Sequence, residues 1–112
     1  MSDCLFCKIA NREIPSKKVY EDERIYAFED IAPKAPTHVL LIPKKHIARL
    51  SDVGAPDAPL LGELLLCAAG IAREKGLAHY RLALNNGEGA GQSVFHVHFH
   101  LLGGRAFAWP PG

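Results

Sequence analysis

From Phe95 to Leu101 the chain alternates strictly between apolar residues and histidines, Phe-His-Val-His-Phe-His-Leu. Side chains two apart on an extended strand share a face, so residues 93–102 are predicted to form a strand. His96, His98 and His100 then stand in one row, with Val97, Phe99 and Leu101 turned against a core. Residues 37–42 put His38, Leu40 and Ile42 on one face and Val39 and Leu41 on the other. Apolar groups on both faces predict a central strand, covered by helix on one side and by something else on the other. Residues 18–21 and 25–29 are rich in Val, Ile, Tyr and Phe, and with Asp22-Glu23-Arg24 between them they predict a hairpin. Residues 80–85 complete the set of strands. The prolines at 33 and 36 exclude regular structure from residues 30–36.

A helical period runs from Asp57, the predicted cap, to Lys75, with Gly76 as its stop. On a 3.6-residue wheel Glu63, Gly70 and Glu74 form a narrow polar stripe. Leucines, alanines and Ile71 cover nearly everything else. That is more apolar surface than one sheet face can bury, and a second copy of the chain is expected over the surplus. Residues 4–10 predict a short helix capped by Ser2 or Asp3, and a helical turn is expected to end near Leu50. Strands in hairpins flanked by helices, without regular alternation, predict an α+β domain with an antiparallel sheet of about five strands. One long and one or two short helices would accompany it.

Composition narrows this little but excludes a good deal. The 112 residues suit a single domain over 1–112, with 48% hydrophobic and 22% charged residues. A net charge of +1 gives no basic footprint, so no nucleic-acid partner is expected. Residues 64–71 are the longest strongly apolar stretch, too short to cross a bilayer, and the first residues lack a signal-peptide pattern. Three cysteines fit a disulfide framework poorly, which makes the cytoplasm the expected compartment.

The histidine row is the candidate chemistry, since it holds three of the chain's six histidines. Side chains two apart on one strand start about 7 Å apart, awkward for one tetrahedral metal. A nucleophilic imidazole flanked by orienting partners fits better, and His38 on the central strand is a candidate fourth member. A neutral imidazole attacks phosphorus well when its other nitrogen donates to a fixed acceptor. A backbone carbonyl of an adjoining strand is expected in that role. Before the row, Asn85-Asn86-Gly87-Glu88-Gly89-Ala90-Gly91-Gln92-Ser93 is a glycine-rich loop leading into a strand. It therefore is not a dinucleotide fingerprint, but its N–H groups and the Ser93 hydroxyl suit a phosphate.

Gly91-Gln92-Ser93-Val94-Phe95-His96-Val97-His98-Phe99-His100-Leu101-Leu102-Gly103-Gly104-Arg105 closely resembles the signature of histidine triad proteins. It is most similar to the branch called histidine triad nucleotide-binding proteins. Phe28-Glu29-Asp30-Ile31, Pro36-Thr37-His38, Ile42-Pro43-Lys44-Lys45-His46 and the closing Trp109-Pro110-Pro111-Gly112 match as well. The resemblance implies a homodimeric α+β hydrolase of purine nucleoside 5′-phosphoramidates, working through a covalent nucleotidyl-histidine. By position in the motif His98 is the nucleophile, His100 and His38 form a relay, and His96 shapes the site. Ser93 and the amides of Gly91 and Gln92 would hold the phosphate, and Asn85, Asp30 and Ile31 would contact ribose and base. The amine must leave protonated, and the sequence does not identify the acid. No cofactor is required for catalysis.

Cys4-Leu5-Phe6-Cys7 has metal-ligand spacing. Bacterial members of the family pair such a motif with the equivalents of His46 and His96, which implies a structural zinc on Cys4, Cys7, His46 and His96. Cys67 reads as core. The resemblance also implies that the Trp109 tail lies near the partner's site. Two other readings stand beside the phosphoramidase: a dinucleoside polyphosphate hydrolase, and a purine-nucleotide-binding regulatory dimer with incidental turnover.

Overall fold

The structure, a computed structural model, describes residues 3–112. A short helix α1 (Leu5–Ala10) precedes the hairpin of β1 (Lys18–Glu21) and β2 (Ile25–Glu29). Strand β3 (Thr37–Pro43), the long helix α2 (Ala58–Glu74), β4 (Tyr80–Leu84) and β5 (Phe99–Gly103) follow. All five strands form one antiparallel sheet in the order β1-β2-β3-β5-β4. The predicted α+β architecture is the one found.

Pleat alternation sends the two faces of β3 into two cores. Val39 and Leu41 join Ile25, Ala27 and Leu101 beneath Leu64, Ala68, Ile71 and Ala72 of α2. Leu40 and Ile42 join Tyr26 and Phe28 beneath Phe6, Ile9 and Ala10 of α1. What covers the second face, left open by the central-strand expectation, is thus α1, and it brings the N-terminal cysteines over the histidine side of the sheet. By length and hydropathy alone Ala55–Glu74 would pass for a membrane span. One face of it, Leu64, Ala68, Ile71 and Ala72, is buried against the sheet. Its outer side keeps Leu65 and Leu66 exposed, as the wheel predicts.

Several boundaries differ from the sequence reading. The histidine strand begins at Phe99, so His96 and His98 precede it. Its pairing with β3 runs from Thr37↔Gly103 to Leu41↔Phe99, and its pairing with β4 also ends at Phe99, opposite Leu84. Extending the ladder would set Val97 opposite Pro43, which has no N–H to donate. Val97 N–H goes instead to Ile47 O at 2.6 Å. The side-chain alternation survives, since Val97 and Leu101 are buried and Phe99 packs beside that core.

The cap of α1 is Cys4, whose Sγ accepts from Cys7 N–H at 3.4 Å. Asp3 lies before it, and Ser2 lies outside the described residues. The turn expected to end near Leu50 begins there, as a 3₁₀ turn over Leu50–Asp52. Residues 44–49 are tied down instead, Lys44 N–H bonding Arg24 O and Ile47 O accepting from Val97 N–H. Asp57 stands at the start of α2 but caps the turn before it, accepting from Gly54 N–H at 3.0 Å and from Lys45 Nζ at 2.7 Å. Gly76 ends the helix with φ +72°.

The Gly103-Gly104 pair has a steric cause. A Cβ on Gly103 would stand 2.6 Å from Leu77 Cδ1, and one on Gly104, at φ +92°, would stand 2.8 Å from the Pro36 ring.

Candidate active site

The site forms where β3 and β5 run side by side under α1. His38 and His100 meet there because the register sets Leu40 opposite His100 and His38 opposite Leu102, on one face. Their Nε2 and Nδ1 atoms are 2.9 Å apart. Lys34 N–H donates to His38 Nδ1 at 3.0 Å. A backbone N–H can only donate, so the His38 proton sits on Nε2 and is given to His100 Nδ1. The proton of His100 is therefore on Nε2. Asp30 Oδ2 lies 3.4 Å from His38 Nε2, and Asp30 Oδ1 accepts from Ala32 N–H at 2.8 Å. Each carboxylate oxygen keeps a lone pair for another donor.

His98 is oriented by different means. Its Nδ1 lies 2.8 Å from the His96 carbonyl oxygen, which can only accept. Nδ1 thus holds the proton and Nε2 presents a lone pair. The fixed acceptor is a carbonyl two residues back along the same segment, not one on an adjoining strand. That follows from the early end of the ladder, which leaves residues 94–98 free to turn.

Burial keeps these rings neutral, because it disfavours the imidazolium. It lowers the pKa of His98 from the ordinary 6.5, against smaller opposing effects of the His96 carbonyl and Asp30. For His100 burial leads, His98 and His38 add to it, and the pKa falls to about 4. Burial also lowers His38, with Asp30 opposing and Lys34 assisting. The His98 and His100 ring centroids are 5.0 Å apart. A bare nitrogen and an N–H thus stand side by side at neutral pH.

His96 faces elsewhere. Its Nε2 donates to Pro43 O at 2.7 Å, so its Nδ1 is bare. That Nδ1 lies 3.4 Å from Cys4 Sγ, 3.5 Å from Cys7 Sγ and 3.2 Å from His46 Nδ1. His46 Nδ1 is also 3.4 Å from Cys7 Sγ. All four ligand atoms lie within 4.8 Å of one another. Tetrahedral zinc, with bonds of about 2.0 Å to nitrogen and 2.3 Å to sulfur, sets N–N near ~3.3 Å and N–S near ~3.5 Å. The residues fit that ion, in donor type, tautomer and spacing. The triad is therefore divided between two clusters.

The glycine loop lies beside them. Gly87 and Gly91 have φ of +91° and +98°, and a Cβ on Gly91 would meet Asn85 Nδ2 at 3.6 Å. Loop closure uses the N–H groups of Ala90, Gly91 and Gln92. The Gln92 side chain is buried and fully employed: Oε1 accepts from Gly87 N–H at 2.7 Å, and Nε2 donates to Ala48 O and Val94 O. Gln92 therefore builds the loop, and neither its side chain nor its N–H is left for a ligand. Ser93 is exposed just beyond it.

Asp30 and Ile31 border a cleft of about 590 Å³ with Ser16, Lys17 and Pro33. Ile31 is 99% exposed. The sequence reading missed Phe6, whose ring meets His98 edge-on at 5.0 Å and His96 at 6.2 Å. Its place inside the Cys-x-x-Cys motif was the available signal. A hollow of about 750 Å³ near Arg81, Arg105 and Phe107 contains none of the triad.

A HIT domain matches residues 11–107. The chain belongs to the HIT domain family. A HIT-like protein of Synechocystis is 53% identical over 111 residues, spanning 98% of this chain and 97% of that one. The HIT family hydrolase of Legionella pneumophila superposes with a TM-score of 0.96 at 54% identity, covering 98% of this chain and 100% of that chain. The histidine triad nucleotide-binding protein of Candida albicans gives 0.83 at 37% identity, over 96% of this chain and 83% of its own.

Proposed function

We propose that this HIT family, hydrolase-like protein cleaves the P–N bond of purine nucleoside 5′-phosphoramidates through a nucleotidyl intermediate on His98. The observation that carries the reading is the His98 Nδ1–H bond to the His96 carbonyl, beside a His100 whose proton is on Nε2. One ring supplies a lone pair and its neighbour supplies a hydrogen-bond donor, without either bearing charge.

In the first step His98 Nε2 attacks phosphorus and the P–N bond breaks with its electron pair on nitrogen. The amine leaves with a proton taken from solvent water, while His100 keeps its own Nε2 proton. His98, now bonded at both nitrogens, is held as the cation by the His96 carbonyl. Ser93 offers its hydroxyl and N–H to the phosphoryl oxygens, where fixed donors lower the barrier. In the second step water attacks the adduct, its proton replaces the one taken, and His98 leaves neutral. Asp30 accepts from ribose hydroxyls, Ile31 covers the base, and Asn85 and Gly91 shape the ribose side. The similarity to a histidine triad nucleotide-binding protein supports the substrate class.

The reading includes a structural zinc on Cys4, Cys7, His46 and His96, supported by the fit of those four atoms. It also includes a homodimer that covers Leu65 and Leu66 and brings the exposed Trp109 tail near the partner's site. Within one chain that tail is held by Arg81, which donates to Ala108 O at 2.9 Å and stacks on Phe107 and Trp109.

Incubation with adenosine 5′-phosphoramidate followed by mass spectrometry tests the reaction. A labile adenylyl group on His98 and release of the amine are expected, with His98→Ala losing both. Nucleotide binding without adduct or turnover would replace the enzyme by a binding dimer.

A further inference from the structure

His96 takes part in both clusters. Its Nδ1 faces Cys4, Cys7 and His46, while its carbonyl oxygen holds the Nδ1–H of His98. Its Nε2–H is fixed by Pro43 O, at the end of β3. The residue is fully buried and lies in a segment without ladder bonds, where its peptide is fixed by these side-chain anchors and by Val97 N–H, which bonds the carbonyl of Ile47, next to His46, at 2.6 Å. A second connection runs through α1. The helix that carries Cys7, and starts at Cys4, also carries Phe6, whose ring abuts His98 at 5.0 Å. Six residues make too short a helix to persist alone, so its seat depends on what it is tied to.

We propose that His96 is a positioning residue through which a metal at Cys4, Cys7, His46 and His96 holds the His98 nucleophile in its productive tautomer. The inference rests on the metal and nucleophile readings above and goes beyond both. A metal bonded to the Nδ1 atoms of His96 and His46 locks the ring and steadies Ile47, and these with Pro43 set the direction of the His96 carbonyl. The same metal holds α1 down and keeps Phe6 against His98, which blocks rotation of the imidazole. Without it the His96 peptide turns, the Nδ1–H bond weakens, and His98 exchanges its proton between ring nitrogens. A ring protonated on Nε2 has no lone pair for phosphorus there. The metal acts on the reaction without touching substrate.

The test compares protein holding one equivalent of zinc, the same protein after chelation, and His46→Asn. Nitrogen-15 spectra of labelled histidine read which His98 nitrogen is protonated, and a thermal melt reports folding. The zinc form is expected to show a single Nδ1–H tautomer, and the stripped and His46→Asn forms averaged signals. Single-turnover adduct formation from adenosine 5′-phosphoramidate should fall about tenfold or more, as when partners behind a ligand are lost. Affinity for adenosine 5′-monophosphate should stay within about threefold, because uniform binding is not what is removed. Where the stripped form unfolds, cadmium keeps the site filled with longer bonds, and a changed His98 signal and adduct rate are expected. Identical signals and rates across zinc, cadmium and stripped protein overturn the coupling while leaving the enzyme reading intact. A protein that takes up no zinc, or never forms the adduct, refutes the underlying reading and the coupling with it.

Discussion

His38 Nε2 lies 2.9 Å from His100 Nδ1, and the proton between them belongs to His38 because Lys34 N–H occupies the other His38 nitrogen. One backbone amide thus decides where the proton of a ring two residues removed in the chain of bonds must sit. In His38→Ala the His100 ring loses that instruction and populates both tautomers. The rate kcat for adenosine 5′-phosphoramidate should fall by roughly 10–100-fold with KM little changed, as expected for a positioning partner. His38→Gln, whose amide can still donate to His100, should recover part of the loss. A change confined to KM would move His38 from the reaction to substrate binding.

Burial gives a signed prediction for pH. His38, His98 and His100 all have pKa values lowered from 6.5, His100 to about 4. Unfolded chains take up protons near the ordinary value while the folded site does not, so acid favours unfolding. The stability these groups contribute is full above about 6.5 and is lost as pH falls toward the folded values. Urea midpoints at pH 7.5, 5.5 and 4.5 should decrease in that order. Turnover should hold its neutral value at pH 6.5, where an ordinary imidazole is half protonated, since the pKa of the nucleophile is lowered. A midpoint that rises on acidification would show that these rings are not buried neutral.

Gln92 separates a building role from a binding role. Its amide satisfies Gly87 N–H, Ala48 O and Val94 O in a buried setting. Gln92→Ala should cost about 2–3 kcal/mol, because each partner left dry loses about 1–3 kcal/mol and water recovers part. Denaturant unfolding measures it. Nucleotide affinity should weaken only as the glycine loop loosens. A variant of unchanged stability that no longer binds nucleotide would reassign Gln92 to the ligand.

Much of the fold and the site was legible because it rests on periodicity and spacing. The alternation at residues 37–42 and 95–101 gave two strands and their buried faces, which pair antiparallel, and the α2 wheel anticipated an apolar surplus, which is exposed at Leu65 and Leu66. What the sequence hid were consequences of pairing. Pro43 stands where the β3 ladder would reach Val97, and that single missing N–H shortens the histidine strand to Phe99. The early end lets His96 turn toward the cysteines and brings its carbonyl to His98. Gln92 looked like a ligand contact because its bonds run to Gly87 and to Ala48, which is 44 residues away. Phe6 lay in view within the cysteine motif, but its contact with His98 exists only once α1 folds over the sheet.

The two glycines after the triad should respond unequally to a methyl group. At Gly103 the obstacle is the end of the Leu77 side chain, which can change rotamer. At Gly104 the obstacle is the Pro36 ring, and φ is +92° besides. Gly104→Ala should therefore cost about 2–3 kcal/mol, from overpacking plus strain, and Gly103→Ala nearer about 1 kcal/mol. Thermal or urea melts of the two variants give the order. Equal losses would mean that the backbone relaxes at Gly104.

The outer side of α2 provides the test of association. Leu66 is 75% exposed and Leu65 48%, next to Leu64, which is fully buried. In a lone chain Leu66→Lys exchanges one water-exposed side chain for another and should change stability by less than about 0.5 kcal/mol. In a dimer built on this face the same lysine is driven into an apolar interface, where an unpaired charge is costly. Sedimentation velocity should then show wild type as a dimer and Leu66→Lys as a folded monomer. Leu64→Ala is the contrasting variant, since it empties the core beneath the helix at a cost of about 2–5 kcal/mol whatever the oligomeric state. A dimer that survives Leu66→Lys uses another surface, and the unpaired edge of β4 would be the next face to alter.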